Sequence, residues 1–436
     1  MGVDGQLLDE AHRVEIPLIE QLKGMGWQHL PGDIDVPYLT ERESFREVLL
    51  RDRLRAALKR INLDDDGQPW LDDSRANQAL GTLERLGASK LMEANQLATE
   101  LLLKGASVEA PADDAGNRER SVKFIDFDHP ERNDFLVINQ FRVNPPWAVG
   151  GKGFIVPDLV LFVNGIPLVV IECKSPSATH PMEEAIDQLM RYANQREWVE
   201  QDEGAERLFH YNQFNVATFG YQARVGTFTA TPEHYLEWKD TSPVAMEAVC
   251  RELGVDKLTS QQTLVAGMLR PAHLLDIVRN FTLYQQAGGR TLKIVGRYQQ
   301  FRAVQKAICR LQQGQTRAEH GESDQRGGII WHTQGSGKSL TMVFLVRKLR
   351  TLPELRRFKV VIVTDRTDLE KQLAATATLT EETIRKATST QKLKELLGQP
   401  GADLVFAMIQ KYQERDDVAE VIALTPGPSP RGRGCG

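Results

Sequence analysis

Apolar positions follow a helical rhythm near the amino terminus and an alternating or continuous one through the middle of the chain. In residues 6–27, Val14, Leu18, Ile19 and Leu22 recur at helical spacing and the run stops at Gly24 and Gly26, which predicts a helix. Residues 41–103 are rich in Leu, Ala, Arg and Glu and read as several helices, broken at 62–69 by an acidic loop bearing Gly and Pro. A polar stretch, 111–120, marks a surface loop. VKFIDF, DFLVINQFRV, DLVLFVN and IPLVVIECK are then rich in Val, Ile, Leu and Phe with turn residues between them, which predicts a sheet. Helical spacing returns over 182–198, where Ala185, Ile186, Leu189 and Ala193 form one apolar stripe, and short strands at 214–219 and 224–229 complete an α/β unit.

A helix-rich stretch, 261–284, leads into KIVGRYQQFRAVQKAI and a polar loop at 312–326. GGIIW, a helix over 338–349, KVVIVT, a helix after Asp368 and ADLVFAM then alternate as βαβαβ, the pattern of a parallel sheet. The expected organisation is one α/β domain over 1–255, a second over 256–424, and a Gly/Pro-rich disordered tail over 425–436, with no internal repeat.

Composition narrows the class without deciding it. With 436 residues and 41% hydrophobic content the chain can bury sizeable cores. Its 26% charged residues, and the lack of a long apolar run or a basic-then-apolar leader, argue against a membrane span or secretory signal, so the chain is read as cytoplasmic. Cys173, Cys250, Cys309 and Cys435 lie far apart without ligand spacing, which argues for reduced thiols rather than disulfides or zinc. A net charge of −5 excludes a strongly basic whole-chain signature and leaves room for a local basic groove.

Chemistry enters at GFIVPDLVLFVNGIPLVVIECK. Asn164 and Gly165 separate two apolar runs and predict a tight hairpin. Folding there brings Asp158, six residues before Asn164, close to Glu172, seven after Gly165. Strand alternation puts Lys174 on the face of Glu172 and Cys173 on the other, toward the core, with no redox role. Two converging carboxylates suit a hard cation such as Mg²⁺, which can polarise a phosphodiester and activate water, and a neighbouring lysine can stabilise developing charge. Pro157-Asp158 and Glu172-Cys173-Lys174 resemble the PD-(D/E)xK nuclease signature. Gln188 and Tyr192, four apart on a helix, resemble the QxxxY extension of the RecB-like and type I restriction branches and are expected to reach toward the carboxylates or the DNA backbone. Glu15 resembles the first-helix glutamate of such nucleases and is the expected further metal ligand; Glu20 is the competing choice.

A second constellation lies in GGIIWHTQGSGKSLTMVFLV, where a Gly-bearing loop precedes an apolar helix. Gly335 and Gly337 let backbone N–H groups approach phosphates, Lys338 can reach the β- and γ-phosphates, and Ser339 can ligate Mg²⁺. His332 stands where GxxxxGK[ST] would have its first glycine, so the match is to the TxGxGKS form of helicase-type ATPases, carried by Thr333, Gly335, Ser336, Gly337, Lys338 and Ser339. Upstream, Arg297 to Gln300 resembles the adenine-reading Q motif of superfamily 2 helicases, with Gln300 as the expected reader. VVIVTDRTDLEKQL resembles motif Ia of type I restriction translocases and FAMIQKYQ the DNA-contacting segment after it; Arg366 after Asp365 argues against a Walker B strand there.

Together these segments resemble the restriction (R) subunit of type I restriction–modification enzymes, from near residue 10 to about residue 420. The resemblance implies a PD-(D/E)xK nuclease domain followed by a first, incomplete RecA-like helicase lobe. It also implies Mg²⁺ and ATP as cofactors, double-stranded DNA as substrate, and methyltransferase and specificity subunits as partners. Within the chain no apolar strand followed by Asp-Glu occurs after FAMIQ, and Asp416-Asp417 sits in a polar stretch. The expectation is therefore a truncated R subunit with a chemically complete nuclease site, weak or absent ATP hydrolysis and no translocation. A remnant that binds ATP, DNA or the methyltransferase without cutting is the alternative, and a stand-alone ATPase the third reading.

Overall fold

The mid-chain apolar segments pair into one sheet. In the computed structural model, which describes residues 10–64, 66–88, 90–109, 119–148, 153–196, 198–199, 201–364 and 384–408, the contacts divide the chain into two units, 1–295 and 296–436. The first carries strands β1 (Gln28–Leu30), β2 (Ala106–Glu109), β3 (Glu119–Val122), β4 (Phe135–Asn139), β5 (Leu159–Val163), β6 (Ile166–Cys173), β7 (Phe214–Thr218), β8 (Ala223–Gly226), β9 (Thr282–Ala287) and β10 (Arg290–Val295). Six of them form a mixed sheet in the order β1-β4-β5-β6-β7-β8, with β1–β4 and β6–β7 parallel and the rest antiparallel. Every residue of β5, β6 and β7 is buried, so these central strands are covered on both faces and their sequences run apolar without alternation.

The β5–β6 turn has the expected form, with Asn164 and Gly165 both left-handed at φ 52° and 80°. Its register holds a feature the sequence does not display. Val163 faces Ile166 and Phe162 faces Pro167, but Leu161 faces Val169, so Leu168 is an extra residue in β6. Without that bulge the pairing would run Asp158 against Ile171. With it, Leu159 faces Ile171 and the next position sets Asp158 across from Glu172.

The helices of eight or more residues in this unit are α1 (Ile16–Gly24), α2 (Arg51–Ile61), α3 (Asp73–Glu84), α4 (Leu91–Lys104), α5 (Pro181–Tyr192), α6 (Met246–Leu253), α7 (Ser260–Met268) and α8 (Pro271–Asn280). α5 stops at Tyr192 rather than at 198, because Asn194 turns left-handed (φ 54°) and its side-chain oxygen accepts the N–H groups of Glu203 and Gly204. The expected strand VKFIDF reaches only Val122 before bending, since the Asp126 carboxylate accepts the N–H groups of Asp128 and His129 in a turn. Helix does not continue to 284 either; Thr282, Leu283 and Tyr284 pair with β10 as strand.

The contact boundary falls at 295/296 rather than 255/256. α7 and the residue after it join the first unit through bonds to its amino-terminal end, where Gln21 donates to Gln262 O (2.9 Å), Trp27 to Leu269 O (2.8 Å) and Gln261 to Val14 O (3.3 Å), and α8 joins it through Arg279, which donates to Asp128 (2.7 Å). β10 is anchored from the inside. Lys293 is buried and its ammonium donates to Asn95 Oδ1 (2.8 Å), Asn212 O (2.7 Å) and Gln213 Oε1 (3.1 Å), all neutral acceptors. Burial holds that lysine well below its usual range.

In the second unit α9 (Tyr298–Gln313), α10 (Lys338–Thr351) and α11 (Thr390–Gly398) accompany three parallel strands, β11 (Val360–Thr364), β12 (Ile384–Lys386) and β13 (Leu404–Met408), in the order β11-β13-β12. Val346 packs with Leu404 and Phe406 to form its core. GGIIW, expected as a strand, is not one: a parallel strand needs a neighbour along its edge, no described strand takes this segment up, and Ile329 and Trp331 are 93% and 88% exposed. The expected helix after Asp368, Asp365 and Arg366, FAMIQKYQ beyond Met408, Asp416 and Asp417, the 425–436 tail and most of the 111–120 loop lie outside the described residues. No described helix is long and apolar enough to cross a membrane.

His210 precedes β7, buried, with no partner for Nδ1. Burial, helped by nearby Arg207, pushes its imidazole from about 6.5 down to about 4. The folded state holds this ring neutral, so its contribution is intact above pH 6.5 and is lost as pH falls toward 4. Relative to His210→Leu, the wild-type chain should lose about 3 kcal/mol over that interval in urea titrations. Parallel pH profiles for the two chains would contradict this.

Candidate functional site

The bulge in β6 sets two carboxyl groups face to face inside the sheet. The Cys173 N–H donates to Asp158 Oδ2 (2.7 Å), and the Lys174 ammonium donates to Glu172 Oε1 (2.7 Å) and to Cys173 O (2.9 Å). Asp158 and Glu172 are buried, and Glu172 Oε2 has no donor. Burial, and then Asp158, lifts Glu172 well above the ordinary carboxylate range; burial raises Asp158 against the pull of Lys174. Lys174 behaves oppositely: burial works against its charge, yet Glu172 and Asp158 hold it above the usual lysine value. Cys173 is buried, and burial with the surrounding carboxylates raises its thiol well above normal.

Two further acids arrive from the amino-terminal helix. Glu10, Glu15 and Asp158 each present a carboxylate oxygen within 4.8 Å of the others. Gln140 Nε2 lies 3.3 Å from both Glu15 Oε1 and Asp158 Oδ1, and the Ser175 N–H donates to Glu10 Oε2 (2.9 Å). Burial, with Asp158 next, brings Glu10 and Glu15 each up to about 7. What aligns Glu10 with Glu15 is one turn of π-helix, Ala11–Glu15, in which Ile16 N–H bonds back to Ala11 O. Five residues of regular α-helix would set the two side chains about 140° apart, whereas a π turn stacks positions five apart. Glu10 was therefore invisible to a 3.6-residue periodicity, and Gln140, at a strand end, carried no motif. Glu20, the competitor of Glu15, is exposed and paired with Lys23 at 2.8 Å. The donor set is all oxygen, with an unsatisfied buried carboxylate oxygen on Glu172 beside it, which fits a hard divalent cation better than zinc.

Gln188 and Tyr192 share a face of α5, as their spacing requires, but they bond to each other. Gln188 Nε2 donates to the Tyr192 hydroxyl, which donates to Val156 O (3.0 Å). The buried tyrosine thus braces the backbone two residues before Asp158 and bonds no carboxylate.

In the second unit the Gly-bearing loop enters α10 through Gly337, left-handed at φ 81°. A Cβ there would lie 2.6 Å from Gln300 Nε2, so glycine is required on two counts. Lys338 donates to His332 O (2.9 Å) and Thr333 O (3.0 Å), and Ser336 Oγ to Thr333 O (2.7 Å), curling the loop around its own ammonium at the positive end of a 14-residue helix. Gly335 (φ 78°), Thr333 and Lys338 are exposed and Ser339 is half-buried at the helix start. Gln300 is placed differently from expectation. It is buried, accepting from Arg297 N–H (2.8 Å) and donating to Gly337 O (3.0 Å), so the carboxamide bolts α9 to the loop.

Comparison with known proteins matches residues 8–234 to the family model for the type I restriction enzyme R protein N terminus and residues 299–426 to the SWI2/SNF2 ATPase model. The chain is 32% identical over 408 residues to the type I restriction enzyme HindI endonuclease subunit of Haemophilus influenzae, covering 92% of this chain and 36% of that one. It is 30% identical over 421 residues to a Methanocaldococcus jannaschii protein with the provisional name type I restriction enzyme MjaIXP endonuclease subunit, covering 94% of this chain and 38% of that one. The chain therefore spans under two fifths of the length of these relatives.

The buried charges have opposite worth to the fold. With metal chelated, Glu172→Gln should raise stability by about 1 kcal/mol by removing one of two opposed carboxyls, while Lys174→Met should lower it by about 3 kcal/mol by stranding both. Urea unfolding in EDTA measures each, and a reversed order would disprove the electrostatic account.

Proposed function

The chain belongs to the family of type I restriction enzyme R proteins, and from that premise we propose that its first unit is a PD-(D/E)xK endonuclease domain that hydrolyses phosphodiester bonds of double-stranded DNA. The observation that carries this reading is the convergence of Asp158, Glu172 and Lys174 on one bulged hairpin, with Glu10 and Glu15 brought beside them. Asp158 and Glu172, with Glu15 and Glu10, would hold Mg²⁺, which when bound supplies Lewis-acid polarisation of the phosphate and a more acidic water. Lys174, kept charged by its carboxylate neighbours, would stabilise the negative charge that accumulates as water adds to phosphorus and the 3′ oxygen leaves. Tyr192 and Gln188 serve as positioning residues for the strand of Asp158, and Gln140 fixes the spacing of Glu15 and Asp158.

For the second unit we propose an ATP site of RecA-like, P-loop type. Thr333, Gly335, Ser336, Gly337 and Lys338 would cradle the phosphates, Ser339 would ligate the accompanying Mg²⁺, and Gln300 would set the loop's shape. In the longer proteins of this family such a unit is proposed to serve ATP-driven DNA translocation, in a complex with methyltransferase and specificity subunits.

Purified chain should nick supercoiled plasmid in Mg²⁺ and not in EDTA, with Asp158→Ala and Lys174→Ala each at least about 100-fold slower. Folded wild-type protein that leaves plasmid intact would refute the nuclease assignment for the isolated chain. Independently, Lys338→Ala should weaken binding of a fluorescent ATP analogue at least about tenfold and leave nicking unchanged. Equal nucleotide binding by both chains would remove the phosphate-loop assignment.

A further inference from the structure

The π turn that lines up Glu10 with Glu15 is held in two ways. Gln140 Nε2 meets Glu15 Oε1 and Asp158 Oδ1, and the Ser175 N–H meets Glu10 Oε2, so these bonds act on the carboxylates themselves. A second carboxamide, that of Gln261, reaches the backbone of the turn instead. Gln261 is buried near the start of α7; its Nε2 donates to Val14 O (3.3 Å), and the Thr218 hydroxyl lies 2.8 Å from its Oε1. A carbonyl oxygen only accepts, so the amide nitrogen must face Val14 and the amide oxygen must face Thr218, which fixes the orientation of the group. Thr218 is in turn the register partner of Cys173, and its own carbonyl accepts the Lys174 N–H (2.9 Å). One side chain therefore spans the two elements that carry the site: the turn of Glu10 and Glu15, and the strand end of Glu172 and Lys174.

We propose that Gln261 is a positioning residue for the metal, tying the backbone of the π turn to the end of β7 so that Glu10 and Glu15 stay within reach of Asp158. The proposal rests on the nuclease reading of the carboxylates. Glu10, Glu15 and Asp158 crowd their oxygens within 4.8 Å, and like charges that close drive their carriers apart. Asp158 adjoins β5, a strand paired on both sides, whereas the turn stands at the head of a nine-residue helix, so the turn is the part that yields. A bond to a glutamate side chain is lost with one rotamer change; a bond to Val14 O restrains the backbone from which both glutamates spring. Burying a carboxamide costs free energy unless its two ends are bonded, and leucine would fill an apolar helix face without that cost. Both ends of Gln261 are bonded, and each bond ends on an element of the acid site. α7 begins at Ser260, past residue 234, where the match to the R protein N-terminus model stops. The matched segment alone thus holds every acid of the cluster and lacks this brace.

The test is Mn²⁺ binding to the full chain without nucleotide, followed by the EPR signal of the free ion, with Asp158→Ala marking the site in question. Gln261→Leu should bind Mn²⁺ there at least about tenfold more weakly than wild type, and Thr218→Val should weaken binding in the same direction. Leu264→Ala, which removes buried carbon from the same helix and touches neither bond, should lower the urea midpoint and keep the wild-type Mn²⁺ affinity. Wild-type affinity in Gln261→Leu, or an equal loss in Leu264→Ala, would overturn the proposal; if Gln261→Leu does not fold, wild-type affinity in Thr218→Val overturns it. The nuclease reading fails separately: a chain that binds Mn²⁺ through Asp158 and Gln261 yet leaves plasmid uncut in Mg²⁺ would sink that reading and uphold the brace.

Discussion

Two carboxyl groups buried against each other, with one ammonium between them and solvent, set the terms for the rest of the first unit. A sheet interior does not tolerate opposed acids without compensation. The surrounding structure supplies it in layers: the Cys173 amide on Asp158, Lys174 on Glu172, and Gln140 between Asp158 and Glu15. Strands apolar on both faces hold the pair where it would not otherwise stay, and Tyr192, Val156 and α5 keep the strand from shifting. The raised carboxyls and the charged lysine are consequences of that enclosure.

The second unit solves a different problem, that of keeping a loop of glycines and small polar residues in shape. Lys338 folds back onto two loop carbonyls and Gln300 fastens Gly337 to the start of α9, so the curve of the loop is held by its own side chains. Two helix starts, those of α9 and α10, are thereby tied into a single piece of geometry.

Much of this could be read from the residues. The Asn164-Gly165 turn, the burial of the strands on either side and the left-handed Gly337 follow from local chemistry that leaves a mark in sequence; the turn brings Asp158 near Glu172, and the bulge at Leu168, which the sequence does not display, sets them opposite each other. What escaped did so for identifiable reasons. Glu10 was hidden because periodicity assumes 3.6 residues per turn and this turn is wider. Gln300 was read as an adenine reader because its bond to Gly337, 37 residues on, is not visible in a linear chain. The expected boundary at 255/256 and the contact division at 295/296 differ because α7 and the residue after it bond to Val14, Gln21 and Trp27, more than 240 positions away, and such bonds leave no mark in a linear sequence. GGIIW has strand composition, but pairing is a property of two segments, and composition reports only one.

The π turn at Ala11–Glu15 and the extra Leu168 in β6 have a common meaning: each is one residue more than a regular element needs. The acid cluster is thus encoded in chain length as much as in residue identity. A homologous chain could keep every glutamate, aspartate and lysine of the site and still lose the cluster through a single-codon deletion in either place. For the same reason, two relatives aligned by their acidic residues alone can match at every letter while only one of them assembles the constellation.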